Sequence, residues 1–327
     1  MIVKDPLYGT AKVEGVLAEL ITSSPVQRLK SIRQAGAPAF FRPEWHVSRY
    51  DHSIGVMLLV RRLGGSLREQ TAALLHDVAH TALSHFVDVV YEREEEDYHE
   101  QIIRELVGKT EVPAILRAHG LDPDEILKVT KEAFPRLEQP LPALCADRID
   151  YTLRDQHLYY GVPAEQIAGF LNSLAADRSG KVYVKEVRQA EWFTNLFYDE
   201  VAGFFMEPFN IYANQLLKPA VLAAMKTGVI EEKDWLGSDR MFMEKLRQFP
   251  TARQAMEVLA APPALEKCPV READFVHRVK PRMIDPDVLY DGGIVPITTV
   301  SEKAQLLNKV AADRFVQGVK VLGESGK

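Results

Sequence analysis

The sequence predicts a mainly α protein with a few short strands and a small α+β region at its C-terminal end. Two patterns predict this. Serine caps followed by apolar residues three and four apart, the spacing of one helix face, recur through the first half. Before residue 260, apolar–polar alternation, the mark of a half-buried strand, is confined to two short stretches.

The elements follow in chain order. Tyr8 to Glu14 is the first strand candidate. Ser24-Pro25 reads as N-cap and first helical residue, with Val26, Leu29 and Ile32 on one face and a stop at Gly36 and Pro38. A second helix starts at Ser48 and runs through Val60 to Gly64-Gly65. Ser66-Leu67-Arg68-Glu69 has the form of a capping box, and its helix carries Ala72 to Leu75 into His76-Asp77. A helix from about Ser84 ends in the acidic run Glu92 to Asp97, which reads as a solvated face or loop. Helical stretches cover about 98–107, 122–133, 142–155 and 190–227. Lys181 to Lys185 alternates after Ser179-Gly180 and is the second strand candidate. Pro262-Pro263 marks a boundary between a core with its helical extension (1–260) and a small α+β region packed on it (261–327). In that tail Val276, Val279 and Ile284 suggest strands, and 302–320 a final helix.

Composition excludes several classes. The 327 residues are 46% hydrophobic and 26% charged, enough for a sizeable core and unlike a disordered or collagen-like chain. No apolar run approaches the roughly 20 residues of a membrane span, since Ile54 to Val60 is broken by Arg61 and Arg62. The first residues lack the apolar stretch of a signal peptide, and two cysteines, Cys145 and Cys268, fit a reduced compartment, so a cytoplasmic location is expected. A net charge of −6 argues against a duplex nucleic-acid partner, which needs a phosphate-neutralising surface. One count is skewed: six of nine histidines lie between His46 and His99.

Those histidines carry the chemistry. His-Asp as a dipeptide is expected about half a time by chance at this composition, so His76-Asp77 alone says little. Its surroundings say more. On a continuing helix His76 and His80 share a face, and Asp77 and His80 are neighbours at three. His85 and Asp88 extend the polar series through a segment made of Leu74, Leu75, Val78, Leu83, Phe86 and Val87. Polar groups in so apolar a segment must be satisfied or functional, because burying them bare is costly. His52 lies 24 residues before His76, and Asp147 lies 70 beyond Asp77. Imidazole and carboxylate donors together suit Mn²⁺, Fe²⁺, Zn²⁺ or Ni²⁺, and Mg²⁺ shares the phosphate chemistry. A metal held by two His and two Asp keeps open positions for water and a phosphate oxygen.

The order His52, His76-Asp77, Asp147 resembles the signature of the HD-domain metal-dependent phosphohydrolases, and more narrowly their deoxynucleoside triphosphate triphosphohydrolase branch. The carrying segments are Asp5 to Gly9, Val26 to Gly36, Ser48 to Val56, Ala73 to His85, Tyr98 to Glu100 and Ala146 to Asp155, with Trp235 to Asp239 similar to a later element. The resemblance implies an HD-domain helical fold, a divalent metal on His52, His76, Asp77 and Asp147, and a nucleotide as substrate. His80, His85 and His99 would line the phosphate site, with His99 as general acid and Asp88 as its carboxylate partner, holding it charged and oriented. Arg49 and Arg148 would contact phosphate, Tyr151 would carry the sugar, and Gln34 and Asp155 would read a sugar hydroxyl. Homo-oligomers are common in the family and are expected here.

Three departures from the family pattern bear on the substrate. Thr81-Ala82-Leu83 replaces Gly-Pro-Phe after the third histidine, and Ala35 replaces a leucine, leaving more room beside the sugar or base. No arginine or lysine lies between Arg188 and Lys218, where the family supplies a phosphate-reaching arginine. The leading reading is a hydrolase of (deoxy)nucleoside triphosphates. A phosphatase for nucleoside monophosphates or other small phosphate esters, a phosphodiesterase for cyclic nucleotides, an HD-type di-iron oxygenase and a non-catalytic nucleotide-binding regulator stay open.

Overall fold

The computed structural model describes residues 1–278 and 280–322; Val279, expected in a strand, lies outside them. Helix Arg49–Arg62 opens on a full capping box. The Ser48 hydroxyl accepts the Asp51 N–H at 3.1 Å, and the Asp51 carboxylate accepts the Ser48 N–H at 3.2 Å. At Ser66 only half of the expected box forms: Ser66 accepts from the Glu69 N–H, while the Glu69 carboxylate pairs with Arg136 at 3.0 Å.

Helices Arg49–Arg62, Leu67–Leu75 and Ala146–Tyr160 meet in one core with Gly15–Thr22 and Val187–Tyr198. A second core gathers Phe86–Tyr91, Pro208–Lys226, Asp239–Leu246 and Pro250–Ala260 around the buried Trp235. Each fully buried Leu, Ile or Phe in these layers contributes about 1.5–3 kcal/mol. Gly55 is required where helix Arg49–Arg62 meets Ala146–Tyr160. A Cβ there would lie 1.9 Å from Arg154 Nη2 and 2.1 Å from Asp150 Oδ1.

The strands are short, as expected. Gly9–Lys12 falls inside the Tyr8 to Glu14 stretch and pairs with Ile2–Asp5, which the sequence did not single out. Val182–Val184 sits in a four-stranded sheet ordered Leu174–Ala176, Val182–Val184, Asp287–Tyr290, Gly293–Pro296. A three-stranded sheet places Val316–Leu322 between Ala264–Cys268 and Phe275–Arg278.

Several boundaries differ from expectation. Ser23, not Ser24, is the N-cap of the first expected helix, which ends at Arg28 before a 3-10 turn over Leu29–Ser31. The helix before His76-Asp77 ends at Leu75, and residues 76–79 are turns. Only Pro123–Ile126 is helical within 122–133; Thr130 instead uses its hydroxyl to accept the Ala133 N–H. The helix expected over 142–155 runs Ala146–Tyr160. The 190–227 stretch splits into Val187–Tyr198, a π turn over Asp199–Phe204 and Pro208–Lys226, because Pro208 has no N–H to continue a helix. The final helix stops at Ala312, and Val316–Leu322 is a central strand, its Val319 and Val321 alternating with Lys320. Ile284 is buried outside any strand.

Candidate metal centre and substrate cavity

Helix Arg49–Arg62 delivers His52, the turn after Leu75 delivers His76 and Asp77, and the first turn of Ala146–Tyr160 delivers Asp147. Their donor atoms converge. His52 Nε2 lies 3.0 Å from Asp147 Oδ1 and 3.7 Å from Asp77 Oδ2. His76 Nε2 lies 3.4 Å from Asp77 Oδ1 and 3.6 Å from Asp147 Oδ1.

The opposite ring nitrogens are anchored. His52 Nδ1 hydrogen-bonds Asp150 Oδ2 at 2.8 Å, and His76 Nδ1 hydrogen-bonds the Ala73 carbonyl at 2.8 Å. Such anchors fix the tautomer and aim Nε2, as they do for metal-ligating histidines. His76 Nε2 is buried without a hydrogen-bond partner. An orphaned nitrogen among two carboxylates and a second imidazole fits a divalent cation. Behind His52, Arg154 bonds Asp150 Oδ1 and Asp5 Oδ2, each at 2.9 Å, and is itself fully buried.

Burial and charge act against each other here. Burial alone pulls the His52 ring down, but hydrogen bonds with Asp147 and Asp150 raise it to about 10. Burial opposes the Asp77 carboxylate, yet His76, His80 and Arg49 hold it well below its ordinary value. The carboxylates around these rings favour positive charge at the cluster.

His80, His85 and His99 form a second cluster. His80 and His99 stack at 3.9 Å between centroids, and His85 stands edge-on to His80 at 4.7 Å. Asp88 accepts from His85 Nδ1 at 3.1 Å and from the Tyr98 N–H, so it partners His85, not His99 as expected. Burial pulls His99 down to about 3, outweighing the Asp77 carboxylate that lies 3.8 Å from its Nε2. The reason is the helix Tyr98–Gly108, which tucks the ring under His80.

The loop between His80 and His85 is strained. Leu83 and Ser84 both hold positive φ, at 61° and 54°, a conformation non-glycine residues occupy at a cost and mostly at functional sites. It is held by the Leu83 N–H on Asp239 Oδ1 at 2.7 Å and the Ala82 N–H on the Trp235 carbonyl at 2.7 Å. Asp239 Oδ2 also accepts the Arg33 N–H at 2.8 Å, tying the loop to the segment that carries Gln34. This is the structural work of the Trp235 to Asp239 stretch. The strain places the Ser84 hydroxyl to accept from Arg49 Nε at 2.8 Å, while Arg49 Nη1 bonds Asp77 Oδ2 at 2.7 Å.

All the site residues expected from sequence except His52 and Asp88 line one cavity of about 620 Å³, and those two stand directly behind it. Arg148 enters it with its guanidinium also held by the Ala143 and Gln139 carbonyls. Tyr151 packs beside Phe205, ring centroids 6.1 Å apart. Asp155 is buried against Glu200 and is raised to about 7, by burial first. His46 stands apart, its ring edge on Tyr159.

Sequence reasoning missed Asp150, Arg154 and Asp5 behind His52, and Asn210 and Asn214 in the cavity wall. It also missed Lys280 and Arg282, brought to the cavity from the C-terminal region and paired with Glu95 and Glu96. Arg282 lies over the Phe205 ring at 5.3 Å. Both reach the cavity from outside the Arg188 to Lys218 stretch, each with a carboxylate partner lining the same cavity.

The helical fold and the His/Asp cluster, which could hold a divalent ion, are those of an HD-domain protein, and sequence comparison agrees. The HD-domain model matches residues 49–155. The chain is 40% identical to an uncharacterised Bacillus subtilis protein, YdhJ, over 98% of both chains. It is 33% identical to the metal-dependent phosphohydrolase cns2 of Cordyceps militaris, over 88% of this chain and 85% of that one. A more distant relative, the mouse deoxynucleoside triphosphate triphosphohydrolase SAMHD1, is 29% identical over 40% of this chain and 23% of its own length. A crystal structure of a hypothetical Aquifex aeolicus protein shares the fold, with a TM-score of 0.67 at 20% identity over 98% of this chain and 96% of that one. The chain belongs to the HD-domain family of metal-dependent phosphohydrolases. No helix among the described residues is long and apolar enough to cross a membrane, and both cysteines are free.

Proposed function

We propose that the protein hydrolyses nucleotides, (deoxy)nucleoside triphosphates first among them, through attack of water on phosphorus. The observation that carries this is the convergence of His52, His76, Asp77 and Asp147 beneath a cavity flanked by Arg49 and Arg148. A divalent cation on those four residues supplies Lewis-acid polarisation of a phosphoryl oxygen and a water acidified towards neutral pH.

The remaining roles belong to the chain's own side chains. Arg49 is held rigid by Asp77 and Ser84 and offers positive charge to a phosphoryl group at the centre. As the P–O bond breaks, the leaving oxygen needs a proton. His85 carries the carboxylate partner that a charged proton donor requires, so that role falls to His85 with Asp88. His99, buried and uncharged, shapes the wall with His80. Lys280 and Arg282 at the cavity face the outer phosphates of a triphosphate.

A phosphatase for nucleoside monophosphates is favoured by one fact: Lys280 and Arg282 already carry Glu95 and Glu96 as partners. Product analysis separates the two. Metal-stripped protein reloaded with Mn²⁺, Mg²⁺, Fe²⁺, Ni²⁺ or Zn²⁺ releases tripolyphosphate from a nucleoside triphosphate on the first reading, and orthophosphate from a monophosphate on the second. Absence of turnover of any phosphate ester under all five metals overturns both.

A further inference from the structure

The cavity wall carries hydrogen-bond acceptors that have no partner within the protein. Gln34 Oε1, Asp155 Oδ1, Asn210 Oδ1 and Asn214 Oδ1 are each buried and lack a partner, and all four residues line the cavity. The orientation of Asn210 is fixed, because its Nδ2 donates to the Phe204 carbonyl at 2.7 Å. Behind Asp155 lies Glu200, wholly buried, with its Oε2 accepting from Gln156 Nε2 at 2.9 Å and its carboxyl held well above its ordinary value by burial and by Asp155. Glu200 sits in the π turn Asp199–Phe204, a local geometry enriched at functional sites.

Four orphaned acceptors call for a ligand rich in donors. A hydroxyl carries one hydrogen and can satisfy one acceptor as donor. A 2-deoxyribose esterified at its 5′-oxygen and carrying a base offers one free hydroxyl, and a ribose offers two on adjacent carbons. Ala35, next to Gln34 in the chain, also lines the cavity, and its side chain ends at one methyl. We propose that Gln34, Asp155, Asn210 and Asn214 form a vicinal-diol pocket that selects ribose over 2-deoxyribose, with Glu200 as the positioning residue that holds Asp155.

The proposal deepens the nucleotide reading and rests on it for the identity of the sugar. A site built to bond a hydroxyl rejects the analogue lacking it, because its own buried groups are left unpaired. One missing hydroxyl costs about tenfold in affinity or more. Glu200 meets no ligand, so its loss acts through the angle and protonation of Asp155.

Calorimetric binding of ribose 5-phosphate and 2-deoxyribose 5-phosphate to the metal-loaded protein tests the pocket without requiring a particular base or turnover. Ribose 5-phosphate binds at least tenfold more tightly, and Asn210→Leu and Asn214→Ala each bring that ratio towards one. Glu200→Gln raises the KM for a ribonucleotide about tenfold with kcat little changed, a split that general destabilisation does not produce. Equal binding, tighter binding of the deoxy sugar, no binding of either, or a ratio untouched by both asparagine variants overturns the proposal. Failure of the hydrolase reading looks different: no ester is turned over while the binding ratio stands.

Discussion

His52 Nδ1 and Asp150 Oδ2 lie 2.8 Å apart, both buried, on residues 98 positions distant in the chain. Asp150 in turn is locked by Arg154, and Arg154 by Asp5. The Nε2 that His52 turns to Asp147 and Asp77 is therefore aimed by Asp150, Arg154 and Asp5, three charged groups outside the cavity lining.

That chain is expected to govern both folding and metal affinity. Asp150→Ala leaves Arg154 and His52 short of a buried partner, and breaking such a pair costs about 3–5 kcal/mol. Asp150→Asn keeps the shape but weakens the anchor, and lowers metal affinity about 10- to 100-fold. Thermal unfolding reads the first effect, and metal titration of the refolded protein reads the second.

Proton delivery through His85 is tested by comparing three variants. His85→Gln and Asp88→Asn should each lower kcat with little change in KM, by about 10²- to 10⁴-fold for the histidine. His99→Gln should cost less, since burial keeps that ring uncharged across the working pH range. A larger loss at His99 than at His85 returns the acid to His99.

Asp239 ties the strained Leu83–Ser84 loop to the Gln34 segment, and burial raises its carboxyl to about 6. The folded value stands above the unfolded one, so ionisation opposes folding. The contribution is fully present below about pH 4, the unfolded value, and is lost as pH rises through about 6. Over that window it amounts to about 3 kcal/mol. Denaturant unfolding at either end should show the wild-type loss, and Asp239→Asn should flatten that part of the slope.

The candidate metal cluster was legible in the sequence because His52, His76, Asp77 and Asp147 are polar residues in or beside apolar helical segments, where burying them bare is costly. The helix starts at Ser48 and Ser66 were legible from local capping chemistry. The support of His52 was not, since Asp5 and Arg154 are 149 residues apart and look like ordinary surface charges until the fold buries them. Lys280 and Arg282 escaped for the same reason, arriving from a region read only as a packed tail. The partner of Asp88 was not legible, because spacing along the chain does not say which of two neighbouring histidines a carboxylate will face. The final strand did carry a signal: Val319 and Val321 alternate around Lys320, and the helical spacing of the preceding residues obscured it.

The most direct test of the central claim is metal content and turnover measured together on wild type and Asp77→Ala. Asp77 touches Arg49, His76, His80 and His52 through its two carboxylate oxygens. The wild type should retain about one divalent ion at the four-residue centre and hydrolyse a nucleotide once loaded, while Asp77→Ala, folded by circular dichroism, should lose both. An Asp77→Ala protein that still binds metal with wild-type affinity and hydrolyses nucleotide at the wild-type rate would contradict the account.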